Sequence, residues 1–382
     1  MSLFPVYSPF QINLTRAKGS YVYDETGRGY LDLYGGHGVI SIGHAHPTYV
    51  EALRKQIGRI GFYSNSILMP LQEELAGRLQ EISGYDDYRL FLCNSGAEAT
   101  ENALKLASFQ TGRRGMVAFR KSFHGRTGAA LRVTDNPKIS PPLIVDSFPV
   151  EFFELEEQEA LTTLLQREET AAVIVEGIQG VGGLGAPSAE YLSFLREVCD
   201  RTGTLLILDE VQSGFGRSGN FFAHQIAPIR ADIVAMAKGM GNGFPVGGLL
   251  IGEHLHAFPG MLGTTFGGNH LACTAALAVL QVLEEEQLMD RAKILGEEVH
   301  QKLAALPGVR RVRGRGLMLG PEFDFPVKTL RNRLLHEHGI FTGSSSNPNL
   351  LRLLPPLSIT QEEIKPLFGA LKECLSHAEM VK

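Results

Sequence analysis

Two apolar runs of the 382-residue sequence end in side chains that could do covalent chemistry. The run TLLILDEVQSGFGRSG delivers Asp209, Glu210 and Gln212 to its end, and DIVAMAKGMGNGFPVGG delivers Lys238, followed by Gly239, Gly241 and Gly243. In open α/β sheets, ligands collect at the carboxyl edge of the strands. A lysine placed there loses water, its pKa falls, and the neutral amine becomes a nucleophile suited to an imine. A structural Lys238–Asp209 ion pair is the other reading of the same spacing.

A second group of residues suits an anion. In FLCNSGAEATENALKLAS a strand ends at Cys93, and Ser95, Gly96 and Ala97 turn directly into a helix. Free N–H groups and the helix dipole at such a start favour a phosphate, and a plain serine N-cap is the alternative. The absence of GKS/T excludes a Walker loop. Further on, GTTFGGN (263–269) offers the hydroxyls of Thr264 and Thr265 on open backbone. Gly180, Gly182 and Gly185 also match GxGxxG, which would suit a dinucleotide, but Pro187 and Ser188 part the last glycine from the next helix. The His44/His46 and His336/His338 pairs have no acid or cysteine companion at metal-ligand spacing, so no metal is expected.

These groups need a frame. Short runs such as AAVIV and LLIL, bounded by turn residues, predict strands buried on both faces, as in a helix-covered parallel sheet. Strands are expected at 88–93, 116–120, 171–176, 204–209, 233–237 and 248–251. Helices are expected at about 70–82, 97–110 and 188–202. Beyond 270 the pattern changes to long helices at 269–286 and 288–305, strands near 309–323, a helix at 328–338, a short sheet region at 340–354 and a closing helix. Thr360 and Glu363 form a capping-box start for that last helix. The expected fold is therefore α/β, a large domain with a mostly parallel central sheet and a smaller α+β domain. Its boundary lies near 270–285, and the hairpin expected within 20–34 could join either part.

Composition narrows the classes of function. A net charge of −5 gives no electrostatic footprint for nucleic acid or an anionic membrane. The four cysteines lie far apart with no CxxC pair, which fits a reducing cytoplasm. No basic-then-apolar leader is visible at the start, and the most apolar stretch, 271–283, is too short to span a bilayer. The 43 glycines exceed the usual ~7% and bunch beside polar residues, as backbone shaped around a ligand would.

Taken in order, Ser95-Gly96-Ala97-Glu98, Asp209 to Lys238 and Gly263 to Asn269 resemble the class III (ω-type) aminotransferases that depend on pyridoxal 5'-phosphate. The resemblance runs from YVYDETGRGYLDLYGGHGVISIGHAHP to NLLRLLPPLSIT, and within the class it is closest to the acetylornithine and succinylornithine enzymes. It implies a fold type I enzyme with a large cofactor domain at 48–275 and a small domain from 1–47 plus 276–382. It also implies roles by position. Lys238 would hold the cofactor and later shuttle the proton, Asp209 would face the pyridinium nitrogen, and Gln212 would bond the ring hydroxyl. Ser95, Gly96 and Ala97 would cradle the phosphate, Thr265 would arrive from the partner subunit of a homodimer, and Phe123 would stack on the ring. Arg126, Thr264 and Arg352 would bind substrate, the arginines taking carboxylates through their planar forks.

One departure bears on the substrate. Many members of the class read E-P-I-Q-G-E where this sequence reads Glu176-Gly-Ile-Gln-Gly180-Val181, so the carboxylate that neutralises the fork arginine is replaced by Val181. The resemblance then implies transfer of the δ-amino group of N2-acetyl-L-ornithine to 2-oxoglutarate by a ping-pong cycle, giving N-acetyl-L-glutamate 5-semialdehyde and L-glutamate in arginine biosynthesis. An N2-succinyl donor is the near alternative. A nicotinamide-dependent dehydrogenase built on 180–185 and a non-catalytic acyl-amine-binding protein are the remote ones.

Overall fold

A computed structural model describes residues 3–376. Among the described residues, thirteen strands form three sheets. They are β1 Leu14–Lys18, β2 Tyr21–Asp24, β3 Gly29–Leu33, β4 Arg89–Cys93, β5 Gly115–Phe119, β6 Val150–Phe153, β7 Thr170–Glu176, β8 Leu205–Asp209, β9 Ile233–Met236, β10 Gly247–Ile251, β11 Arg311–Arg315, β12 Met318–Glu322 and β13 Ile340–Thr342. The central sheet has the order β4-β10-β9-β8-β7-β5-β6. Only β10 runs against its neighbours, and the other ladders are parallel. The fold is thus the α/β class with a mostly parallel sheet that the apolar runs predict.

Period-two alternation explains why these runs are continuously apolar. Val173, Val175, Leu206, Leu208, Val234 and Met236 pack into one core. The residues between them, Ala172, Ile174, Ile207, Ile233 and Ala235, pack into a second core on the opposite face. The second core is built with small side chains, Ala99, Ala103 and Ala107, from the helix Gly96–Thr111. That helix therefore approaches the strands closely, and its first turn stands over their carboxyl ends. Burying one such Leu or Ile side chain stabilises the fold by about 1.5–3 kcal/mol.

The remaining sheets gather the two ends of the chain. β1, β2 and β3 form an antiparallel meander, and β13 adds to β3 in parallel, with Thr342 opposite Leu33. The hairpin that composition left unassigned thus pairs with the C-terminal segment. β11 and β12 form a separate two-stranded ladder. The expected sheet region at 340–354 is smaller than its composition suggests. After β13 it holds only isolated bridges, including Gly343 to Arg352. The capping box forms as expected, with Thr360 N donating to Glu363 Oε2 at 2.8 Å and Glu363 N to Thr360 Oγ1 at 3.2 Å.

The apolar helix His270–Glu285 packs on the helices Pro47–Ile57 and Pro70–Ser83. Among the described residues, no helix is long and apolar enough to cross a membrane.

Candidate active site

Parallel register sets the chemistry of the carboxyl edge. β7 and β8 pair so that Glu176 stands directly beside Asp209. β9 ends one residue before Ala237, and Lys238 follows in a left-handed conformation, φ +47°. A non-glycine residue held there stores strain, a common feature of functional positions. A cavity of about 390 Å³ opens at this edge. It is lined by Lys238, Asp209, Gln212, Ser95, Gly96, Ala97, Phe123 and Arg126, which the sequence had separated by up to 143 positions. A larger cleft of about 470 Å³ lies along Lys105, Phe109 and Phe148 but gathers no comparable set of reactive groups.

Two buried acids and one amine dominate the electrostatics. Burial lowers the Lys238 pKa, Arg352 lowers it further, and Asp209 and Glu176 oppose the shift. Burial raises Glu176 to about 7, with His124 acting against that shift and Asp209 adding to it. Glu176 is held by two amides, accepting from Phe123 N at 3.0 Å and Gly180 N at 3.1 Å. Asp209 accepts from Val211 N at 3.0 Å through Oδ1, while its Oδ2 lies 2.6 Å from His124 Nδ1. His124 is fully buried, and its Nε2 has no partner.

The helix start at Ser95 is a cap and a cradle together. Ser95 Oγ accepts from Glu98 N at 3.2 Å, so the N-cap reading holds. A Cβ on Gly96 would lie 2.5 Å from Val211 Cγ1, so only glycine lets this backbone approach the strand end. Ser95, Gly96 and Ala97 of that first turn line the cavity, where the helix start would stabilise a phosphate.

The remaining expected residues fall in different places. Arg126 is exposed at the cavity wall, whereas Arg352 is 2% exposed. Arg352 donates from Nη1 to Gly180 O at 2.6 Å and to Gln212 Oε1 at 3.2 Å. Gln212 also donates from Nε2 to His37 O at 2.9 Å, leaving one amide hydrogen for a ligand. Thr264 and Thr265 are not in this cavity. Thr264 lines a neighbouring cleft with Asn65 and Gln72 and reaches the cavity only through Asn94, whose Nδ2 donates to Thr264 Oγ1 at 3.2 Å. Thr265 is exposed.

Sequence reasoning missed His124, His37 and Tyr34 as members of the site. His124 adjoins Phe123, but its partner Asp209 is 85 positions away, and no spacing signals that pair. His37 sits on the turn from Gly35 to Gly38, in which all four residues have positive φ. Its pKa is lowered by burial and by the fields of Arg352, Lys238 and Arg126. The Tyr34 ring lies 4.7 Å from the His37 ring.

The GxGxxG segment is closed on itself. Gln179 N donates to Gly185 O at 2.7 Å, and Glu156 takes the N–H and hydroxyl of Ser188 at the following helix start. A carboxylate thus occupies the position a pyrophosphate would need. The histidine pairs are likewise engaged, His44 with Asp32 and His46 with Glu286. The companions that spacing could not show for His338 exist in space, since Glu337 and Cys374 present ligand atoms within 4.8 Å of its own. Glu337, however, is held by Arg333 at 2.9 Å.

A sequence profile described as Aminotransferase class-III matches residues 4–375. The chain belongs to the class-III aminotransferases. It is 40% identical to the acetylornithine aminotransferase of Methanosarcina mazei, over 94% of this chain and 91% of that one. The Bacillus subtilis acetylornithine aminotransferase is 39% identical, over 100% and 99% of the two chains. Among solved structures, the Toxoplasma gondii ornithine aminotransferase described with pyridoxal phosphate in its active site superposes with a TM-score of 0.90 at 30% identity, covering 97% of this chain and 91% of that chain. As a class-III aminotransferase the chain is a pyridoxal-phosphate-dependent transaminase, and its cavity fits that cofactor. The fit lies in an amine at the strand edge, an anchored carboxylate facing the same space, and a helix start that excludes a Cβ.

Proposed function

We propose that this class-III aminotransferase moves the δ-amino group of an N2-acylornithine to 2-oxoglutarate. N2-acetyl-L-ornithine is the donor its relatives are named for, and N2-succinylornithine is the near alternative. The products with the acetyl donor are N-acetyl-L-glutamate 5-semialdehyde and L-glutamate, a step of arginine biosynthesis. The observation that carries this reading is the buried Lys238 amine, its pKa lowered, set in one cavity with the Asp209 carboxylate and Arg126, with Arg352 bonded to the lining residue Gln212.

Bound pyridoxal phosphate supplies an electron-withdrawing ring that takes up the charge released when the amine-bearing carbon loses its proton. Each chain residue then has a task. Lys238 Nζ holds the cofactor and, once released, carries that proton between carbons. Asp209, fixed by His124 and the Val211 amide, keeps a negative charge against the ring nitrogen. Ser95, Gly96 and Ala97 would hold the phosphate, and Phe123 and the spare Gln212 hydrogen would hold the ring of the cofactor. Arg126 and Arg352 would take substrate carboxylates, and Thr264, in the neighbouring cleft, would act on the site through Asn94.

A cytoplasmic homodimer completes the proposal. Ile60, Phe62, Tyr63, Ile67 and Leu68 are exposed beside Phe266, whose ring lies 5.3 Å from that of Phe62. An apolar patch of this kind favours association, and it would carry Thr265 toward a partner's phosphate site. All four cysteines are buried and unpaired, which suits a reducing compartment. The β3–β13 pairing supports dividing the chain into a cofactor domain at 48–275 and a small domain from 1–47 plus 276–382.

Steady-state assays with acetyl-, succinyl- and free ornithine, each with 2-oxoglutarate, test the reading. It requires both acyl forms, or one of them, to exceed free ornithine clearly in kcat/KM. Similar values for all three would overturn it.

A further inference from the structure

Three segments that no sequence spacing connects meet away from the Lys238 cavity. They are the turn Ser218-Gly219-Asn220, the helix Leu288–Ala304, and Gly314-Arg315-Gly316 at the end of β11. Glycine lets their backbones approach. A Cβ on Gly316, whose φ is +57°, would lie 2.5 Å from the Ser218 carbonyl carbon, and a Cβ on Gly296 would collide with Gly316 O. A cavity of about 420 Å³ opens between the three segments, and it shares no lining residue with the Lys238 cavity.

The deep polar groups of this second cavity are donors without acceptors. Ser218 is 8% exposed, lines the cavity, and its hydroxyl has no hydrogen-bond partner. Arg315 Nε is likewise buried with none. Among the described residues, the rest of the Arg315 fork reaches only neutral oxygens, with Nη2 donating to Gly177 O and Ala223 O, each at 3.5 Å. Burial lowers the Arg315 pKa, and the field of Glu210 opposes that shift. Glu210 is committed elsewhere, because its oxygens take the Ser213 hydroxyl, His224 Nδ1 and the amides of Ala223 and His224. Buried donors left unmade are costly to a fold, and a ligand that accepts from them recovers that cost.

The charge around these donors sets the kind of acceptor. Lys293 and His300 stand seven residues apart on one helix face, and both line the cavity with Arg315. Glu297, between them on the same face, is the acid of the lining. Lys293 and Arg315 therefore outweigh it, and His300 adds a further donor. A guanidinium, an ammonium and a hydroxyl around one space are the complement of an oxyanion.

We infer that Ser218, Lys293, His300 and Arg315 form a second ligand site, distinct from the cofactor cavity, for a compact oxyanion, the phosphate or carboxylate group of a small metabolite. Arg315 and Ser218 hold its inner oxygens, and Lys293 and His300 close over it from the helix. Such a ligand ties the turn, the helix and β11 together.

Calorimetric titration of the holoenzyme with inorganic phosphate and, separately, with citrate tests the site at constant ionic strength. Using the holoenzyme keeps the cofactor's own phosphate site filled. Saturable binding at one site per chain is expected, and the tighter probe shows whether phosphate or carboxylate is the group recognised. Arg315→Gln and Lys293→Gln should each weaken binding about tenfold, as the loss of a charge-assisted hydrogen bond does. Glu297→Gln should tighten it, and Arg126→Gln, in the wall of the cofactor cavity, should leave it unchanged. Lys293 is exposed, so Lys293→Gln carries the test where Arg315→Gln fails to fold. No saturable binding of either probe, binding that is undiminished in Lys293→Gln, or binding lost in Arg126→Gln would overturn the site.

Discussion

His124 Nδ1 lies 2.6 Å from Asp209 Oδ2, and both side chains are buried. The aspartate is thereby fixed at one oxygen by an imidazole and at the other by the Val211 amide. A carboxylate that is to face a ring nitrogen cannot rotate freely, and here it does not.

His124 is accordingly a positioning residue. His124→Asn should lower kcat by about tenfold, the worth of one hydrogen bond to a charged group. KM for the amino donor should change less than kcat, and the pH profile of the holoenzyme's cofactor absorbance should shift. A purely structural role would lower thermal stability and leave that profile where it was.

Glu176 gives stability a pH dependence with a definite sign. Its folded pKa, raised to about 7 from an ordinary 4.5, means that the folded chain binds more protons than the unfolded chain between those values. Its contribution is present in full below 4.5 and is lost as pH rises toward 7. Glu176→Gln should flatten the fall in unfolding free energy over that window. Denaturant melts at a series of pH values measure it, and an unchanged slope would contradict the assignment.

Gly96 is tested by crowding. Gly96→Ala places a methyl 2.5 Å from Val211 Cγ1, and overpacking of this kind costs about 1–3 kcal/mol. Stability should fall, and Val211→Ala in the same chain should restore most of it. Cofactor affinity should not recover to the same extent, because the first-turn amides would still be displaced from the phosphate site. Equal recovery of both would remove the cradle role.

Much of this site was legible in the sequence because it is made of strand ends. Asp209 and Lys238 close apolar runs, and Ser95-Gly96-Ala97 opens a helix, so local pattern located all three. What escaped depends on register and long-range pairing. Glu176 becomes a neighbour of Asp209 only through the β7–β8 ladder. β1 and β6 were not expected, since LTRAK is mostly exposed and VEFF lies at a sheet edge, and neither shows a clean buried face.

The central claim is that Lys238 carries the cofactor. Borohydride reduction of the purified holoenzyme, followed by peptide mapping, tests it most directly. The account predicts a yellow protein that loses activity on reduction, with the pyridoxyl group on the peptide containing Lys238, and a Lys238→Ala variant with no turnover. A label on another lysine, or turnover surviving in Lys238→Ala, would contradict it.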